Sequence, residues 1–315
     1  MKIIVKSIVK SVAKNVANSV VESVLLNQLL DTNEDEDVLL AEESWQDLME
    51  LPVTRQILQE DLDADACIEI KDMGIALHLS QPAELWLLLT DHYSSSKILL
   101  KHAERWRNKI IRTVQASETD FFSALTEYLS TSLGAELFCE SCLEKGSPLY
   151  VQERIDRLAS LLQPMLSEDE SILEICCGSG MATQALIANG CRPLSMDYDR
   201  CDLCLGLKNG FMDPKRCFLL DARQLPQIFP EGSFHTVLGF MVGLIDNFNW
   251  PLWKEILLAA SCLAKKKVLF TVYTQKEAEL IAKALGDIGW RGRVIDNRDS
   301  KGIYDQWVYL AVKQE

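Results

Sequence analysis

The sequence predicts an α/β protein: a Rossmann-like, doubly wound seven-stranded sheet with a terminal antiparallel hairpin, preceded by a mainly helical N-terminal domain. Three observations point there. After "EKGSP", short apolar runs alternate with helix-length segments, the pattern of buried strands joined by crossover helices. The last two runs, "RGRVIDN" and "WVYLAVK", have no helix between them, which suits an antiparallel pair on an otherwise parallel sheet. Before that point, most apolar positions recur three and four apart, the helical spacing.

Taken in order, "MKIIVKSIVKSVAKNVANSVVESVLLNQLL" places Val5, Val9, Val12, Val16 and Val20 on one face. Lys2, Lys6, Lys10 and Lys14 fall on another, giving an amphipathic helix. Its β-branched valines weaken the helix, so docking should stabilise it, on its own domain or on a partner, a second copy or a membrane surface. The acidic "DTNEDEDVLLAEESWQDLMELP" reads as linker and solvated helix face. "CIEIKDMGIALHLS" reads as a hairpin turning at Asp72, Met73 and Gly74. "AELWLLL", "KILLKHAERWRNKIIRTV" and "TDFFSALTEYLSTSL" read as helices. Residues 1–147 thus form the helical domain, expected to cap a cleft or select a substrate, and 148–315 form the α/β domain. No internal repeat is present.

The second domain opens with the helix "LYVQERIDRLASLLQPML". Strands follow at "SILEICC", "RPLSMDY", "RCFLLDA", "FHTVLGF" and "KVLFTVY". Between them lie the helical segments "ATQALIANG", "RCDLCLGLKNG" and "WKEILLAASCL"; the helix "KEAELIAKALGDIG" precedes the closing hairpin.

Bulk properties narrow the function. The net charge of -14 over 315 residues excludes a protein whose main partner is nucleic acid, which needs a cationic surface. No stretch reaches the length of a membrane span, and the early lysines interrupt any signal-peptide core. Ten scattered cysteines fit a cytoplasmic protein with reduced thiols. The pairs Cys139/Cys142 and Cys201/Cys204 have zinc-ligand spacing. Both fall in helical patterns, where packing of small apolar side chains is the better reading, and no metal is expected.

Chemistry concentrates in "SILEICCGSGMATQALIANG". In a doubly wound sheet, ligands bind beyond the carboxyl ends of the strands, where strand order reverses. Gly178 and Gly180 match the first two glycines of a dinucleotide fingerprint, but Thr183 occupies the third position. Glu174, just before the turn, suits a positively charged ligand and sits badly beside a pyrophosphate. Asp197, which ends the next strand, lies 23 residues further on and can accept hydrogen bonds from both ribose hydroxyls, which argues against a 2′-phosphate. Asp221 ends the third strand, where it can meet an adenine amino group while the Ala222 amide meets a ring nitrogen.

These residues carry a resemblance. From about Tyr150 onward the chain resembles class I S-adenosylmethionine-dependent methyltransferases. "ILEICCGSG" is similar to their first motif, and "DARQLP…EGSFHTV" to a later stretch, both most like the ubiquinone/menaquinone C-methyltransferase type. The resemblance implies that Glu174 lines the cofactor site, with Cys176 standing for the usual first glycine. Gly178 and Gly180 admit the methionine part. Asp197 binds the ribose, with Tyr198 beside it, and Asp221 with Ala222 holds the adenine. Phe240 or Met241 packs near the adenosine or sulfur. His235 stands where an aspartate is usual. No "NPPY"-type tetrapeptide follows the fourth strand, which disfavours amino methylation of adenine, cytosine or glutamine. The N-terminal half has no counterpart in the quinone enzymes, so their substrate does not carry over.

Methyl transfer from a sulfonium is an in-line displacement that positioning and desolvation can largely drive. A base is needed only for some acceptors. Asp246 and Tyr150 are the candidate catalytic residues, with a loop cap as the competing role of Asp246. The expected function is methylation of a protein or small-molecule acceptor. The alternatives are a non-catalytic S-adenosylmethionine-binding scaffold or regulatory module, and an NAD-linked oxidoreductase.

Overall fold

A computed structural model describes residues 24–41, 62, 64–81, 84–90, 92–93, 101, 103–134, 151–300 and 302–313. The chain divides into two units, Met1–Cys142 and Leu143–Glu315. The amphipathic segment before residue 24, the pair Cys139/Cys142 and Tyr150 lie outside the described residues.

The first unit contains helix α1 (Val24–Leu30), strands β1 (Val38–Leu40), β2 (Ala66–Ile70), β3 (Gly74–Leu79), β4 (Leu85–Leu89) and β5 (Ile110–Val114), and helix α2 (Glu118–Gly134). The strands form one sheet in the order β1-β4-β3-β2-β5. The expected hairpin is β2–β3: Asp72 takes a left-handed φ of 63°, and Met73 donates its amide to the Ile70 carbonyl at 3.0 Å. Among the described residues this part is mixed, strand and helix, and two of the expected helices are corrected. "AELWLLL" is the strand β4, buried on both faces except at Leu87, and "IIRTV" is β5. A five-residue apolar run buried on both sides lacks the alternation that marks a strand, and its spacing imitates a helix. "TDFFSALTEYLSTSL" is helical, within α2. Arg112 on β5 ties the sheet to the end of α1, donating to the Leu30 carbonyl at 2.7 Å and to Asp31 Oδ2 at 2.9 Å.

The second unit alternates as its sequence predicts: α3 (Gln152–Leu162), β6 (Ile172–Ile175), α4 (Met181–Ala188), β7 (Leu194–Asp197), α5 (Arg200–Lys208), β8 (Cys217–Leu219), α6 (Leu225–Ile228), β9 (Phe234–Gly239), α7 (Trp250–Ser261), β10 (Ala264–Val272), α8 (Gln275–Gly286), β11 (Trp290–Asp296) and β12 (Trp307–Lys313). The seven strands run in the order β11-β12-β10-β9-β6-β7-β8. All neighbours are parallel except β12, which lies antiparallel between β10 and β11. The chain runs outward from β6 through β7 and β8, then returns to β9 on the other side. The reversal between β6 and β9 is the point where such sheets bind ligands.

Continuous apolar runs are what such strands require, because both faces are covered. Ile172, Leu186, Leu238 and Val308 are fully buried with Leu158 and Leu162 of α3 in one core cluster. Each contributes on the order of 1.5–3 kcal/mol by leaving water. β6 and β9 approach closely at their carboxyl ends: a Cβ on Gly239 would lie 3.1 Å from Ile175 Cγ1 and 2.7 Å from Val242 Cγ1. Only glycine fits there.

A buried ion pair closes the same edge. Arg154 Nε of α3 donates to Asp305 Oδ2 at 2.6 Å, and Thr271 Oγ1 of β10 donates to Asp305 Oδ1 at 2.6 Å. Asp305 is fully buried and Arg154 is 9% exposed. The guanidinium also lies 4.9 Å from the Tyr304 ring centre. Removing one partner strands the other charge in the interior, so Asp305→Ala should cost about 3–5 kcal/mol. Urea unfolding measures this directly; a midpoint unchanged from wild type would contradict it.

Candidate functional site

The loop from Cys176 to Gly180 joins β6 to α4 at the reversal point. It is built from backbone that most residues avoid: Cys176, Gly178 and Gly180 have φ of 55°, 56° and 87°. The glycines adopt this freely, whereas Cys176 carries strain of about 1–2 kcal/mol. A Cβ on Gly180 would press to 2.9 Å from Met212 Cγ, whereas one on Gly178 would meet nothing within 4 Å. The space beside Gly180 is therefore filled by the protein, and Gly178 faces open space.

Glu174 is fully buried at the end of β6. Its Oε2 accepts from Thr183 Oγ1 of α4 at 2.8 Å and from Ser195 Oγ of β7 at 2.7 Å. Its Oε1 is buried and has no hydrogen-bond partner among the described residues. Desolvation pushes the carboxyl up to about 7, with Asp197 adding to the rise; the two hydroxyl bonds and Arg154 oppose it.

Asp197 at the end of β7 holds the loop: its Oδ2 accepts from the Gly178 amide at 2.7 Å, and its Oδ1 from the Asp199 amide at 2.7 Å. Desolvation raises it, and these amides partly offset the rise. A carboxylate offers about four acceptor positions, so a diol still finds room. Tyr198 beside it is exposed. Asp221 follows β8 and accepts from the Arg223 amide at 2.9 Å and from its Nε at 3.0 Å, and the same guanidinium holds its carboxyl below the usual range. Ala222 is buried. These pieces converge on Cys176, whose thiol is pushed far up by desolvation and then by the charges of Asp197, Glu174 and Asp221.

On the other side of the reversal, Phe240 is buried in the apolar core with Ile172 and Leu186. Met241, at φ 52°, donates its amide to Thr271 Oγ1 at 2.8 Å. Asp246 is a turn former: its Oδ1 accepts from the Phe248 and Asn249 amides at 2.8 and 3.0 Å. Glu277, capping α8 with Thr274, accepts from the Ile245 amide at 2.9 Å and pins this loop. His235 lies at the opposite, amino edge of the sheet, where Nδ1 is 2.9 Å from Ser171 Oγ. Cys204 is buried and Cys201 half-buried in α5.

Sequence reasoning missed Ser195 and the Arg154–Asp305 pair, 151 positions apart, which no local pattern signals. It noticed Thr183 only as a missing glycine, although Glu174 nine residues earlier is its partner.

No protein-family model matches the chain, and no curated protein matches it in sequence. Among solved structures, it is similar to a SAM-dependent methyltransferase from Archaeoglobus fulgidus, with TM-score 0.40 and 13% identity over 51% of this chain and 94% of that one. It is also similar to a magnesium protoporphyrin IX methyltransferase from Synechocystis PCC 6803 with bound SAM, with TM-score 0.40 and 13% identity over 63% of this chain and 98% of that one. A third is a putative S-adenosyl-L-methionine-dependent methyltransferase from Methanococcus maripaludis, with TM-score 0.40 and 10% identity over 60% and 93%. The likenesses are distant, and the Rossmann-like class of the second unit rests on its strand order and crossovers. No helix of the described residues is long and apolar enough to cross a membrane.

The Glu174 carboxyl has a testable signature. Its folded value of about 7 lies above the ordinary 4.5. Its contribution to stability is therefore full below pH 4.5 and is lost as pH rises through 7, by about 3 kcal/mol at about 1.4 kcal/mol per pH unit. Glu174→Gln should remove this fall between pH 5 and 8. Parallel stability–pH curves for variant and wild type, by urea unfolding, would refute the assignment.

Proposed function

We propose that the second unit binds S-adenosylmethionine and transfers its methyl group to a protein or small-molecule acceptor. The observation that carries this reading is the set of three carboxylates at consecutive strand ends, Glu174, Asp197 and Asp221, around a loop whose Gly178 faces open space. The cofactor fits these residues. Glu174 Oε1 has no donor among the described residues, and a ligand ammonium would supply one. Asp197, fixed by two amides, has acceptor positions left for a ribose diol. Asp221, anchored by Arg223, offers an acceptor to an adenine amino group.

When bound, S-adenosylmethionine supplies an electrophilic methyl group on a sulfonium. The chain's own residues bind, orient and desolvate. The Cys176–Gly180 loop and the Phe240–Asn249 loop flank the reversal point, and Glu277 and Thr271 hold the second in place. Asp246 spends one oxygen on two backbone amides, so its role here is to shape the loop. The charge of the whole chain, -14, favours an acceptor that is not a nucleic acid.

Calorimetric titration with S-adenosylhomocysteine tests the reading, and the absence of both heat and thermal shift would overturn it. Asp197→Ala should weaken binding by about 1–3 kcal/mol, the scale of a polar group left unpaired in a site. Binding should also release protons near pH 7, because a cation beside Glu174 favours its charged form. Titrations in buffers of different ionisation enthalpy read that release as a difference in apparent heat.

A further inference from the structure

A cavity of about 200 Å³ opens at the amino ends of β7 and β8, away from the loop ends just described. α4 and the segment after α5 form its walls, and Gln184 Nε2 joins them by donating to the Phe211 carbonyl at 2.5 Å. Its lining is mostly apolar: Ile187, Cys191, Pro193, Met212 and Cys217. Its charged members are Arg192, Arg216 and Asp213, which together leave one positive charge. Arg216 spends Nε on the Pro193 carbonyl at 3.0 Å. Asp213 Oδ1 accepts from the Lys215 amide at 2.9 Å, closing the turn before β8.

A half-buried guanidinium beside a second cation is costly, and in this acidic chain such a pair stands out. Desolvation lowers the Arg216 proton affinity; Asp213 opposes this and Arg192 adds to it. An anion placed between the two guanidiniums would relieve both penalties. A single residual positive charge matches a monoanion better than a doubly charged phosphate, and planar guanidinium matches carboxylate. We propose that this cavity is a second ligand site, for a small molecule with an apolar body and one carboxylate.

The site stands apart from the proposed cofactor cleft but touches it through two side chains. Thr183 and Ser195 line the cavity and are the donors to Glu174. An occupant that shifts either hydroxyl changes how Glu174 is held.

Benzoate is the probe, with benzyl alcohol as its neutral counterpart, followed by saturation-transfer NMR and calorimetry on the full chain. Benzoate should bind in the millimolar range or tighter, and Arg216→Gln should weaken it at least tenfold while leaving benzyl alcohol unchanged. Arg216 also anchors Pro193, so Arg192→Gln, an exposed change, provides a second arm with at least a threefold loss. Asp197→Ala should leave benzoate binding unchanged, whether or not the cleft binds S-adenosylhomocysteine. Absence of benzoate binding, affinity unchanged from wild type in both arginine variants, or loss in Asp197→Ala would each overturn the proposal.

Discussion

The second unit is organised around one carboxyl group. Glu174 is fully buried, and its only described donors come from two other elements, Thr183 on α4 and Ser195 on β7. Burying a carboxyl this way is costly unless its oxygens are met. The two hydroxyls therefore fix where α4 starts and where β7 lies against β6. The loop between them must then turn within Cys176–Gly180, and three left-handed residues make the turn. Asp197, one strand over, secures the result by accepting from Gly178. The geometry of the Cys176–Gly180 loop thus follows from satisfying a single buried acid.

Part of the structure was legible in the sequence and part was not, for the same physical reasons. The parallel strands β6 to β9 of the second unit are buried on both faces and separated by helices, so each announces itself as an apolar run of limited length. The carboxylates at the ends of β6, β7 and β8 follow once the strands are placed. In the first unit the same physics misleads: β4 is an apolar run with no alternation, and nothing local separates it from a helix turn. Thr183 reads as a failed glycine when compared with a dinucleotide fingerprint. In three dimensions its hydroxyl is what the buried acid needs. Arg154 and Asp305 are invisible because their pairing depends on α3 and the segment before β12 meeting across the sheet edge.

In the second unit, left-handed non-glycine backbone occurs in both loops at the reversal point and at Asp305, whose φ is 55°. Besides Cys176, Met241 after β9 takes a left-handed φ, of 52°. Each such non-glycine residue costs on the order of 1–3 kcal/mol and persists only where its surroundings over-determine it. The surroundings do so here. The Met241 amide is held by Thr271, which also donates to Asp305, which pairs with Arg154. The buried ion pair therefore supports the second loop as the Glu174 hydroxyls support the first. Two polar networks, one on each side of the reversal, hold two strained loops at the carboxyl edge of the sheet.

Charge then decides what can occupy that position. Glu174, Asp197 and Asp221 all act on Cys176 between them. At a separation of ~6 Å and an effective dielectric of about 20, each like-charge pair costs about 3 kcal/mol. A dinucleotide pyrophosphate would meet two or three such pairs, and the helix N-terminus that usually repays them is worth only about 0.3–1 kcal/mol. A ligand with a positive charge and a neutral nucleoside reverses the sign: the same acids attract it, and its ammonium supplies the donor that Glu174 Oε1 lacks. Burial, with a smaller push from Asp197, raises Glu174 to about 7, and a cation beside it would make occupancy and ionisation of this acid mutually dependent. A loop built from glycines, read alone, is silent on phosphate against sulfonium; the three acids around it favour a cation, as the proposed function requires.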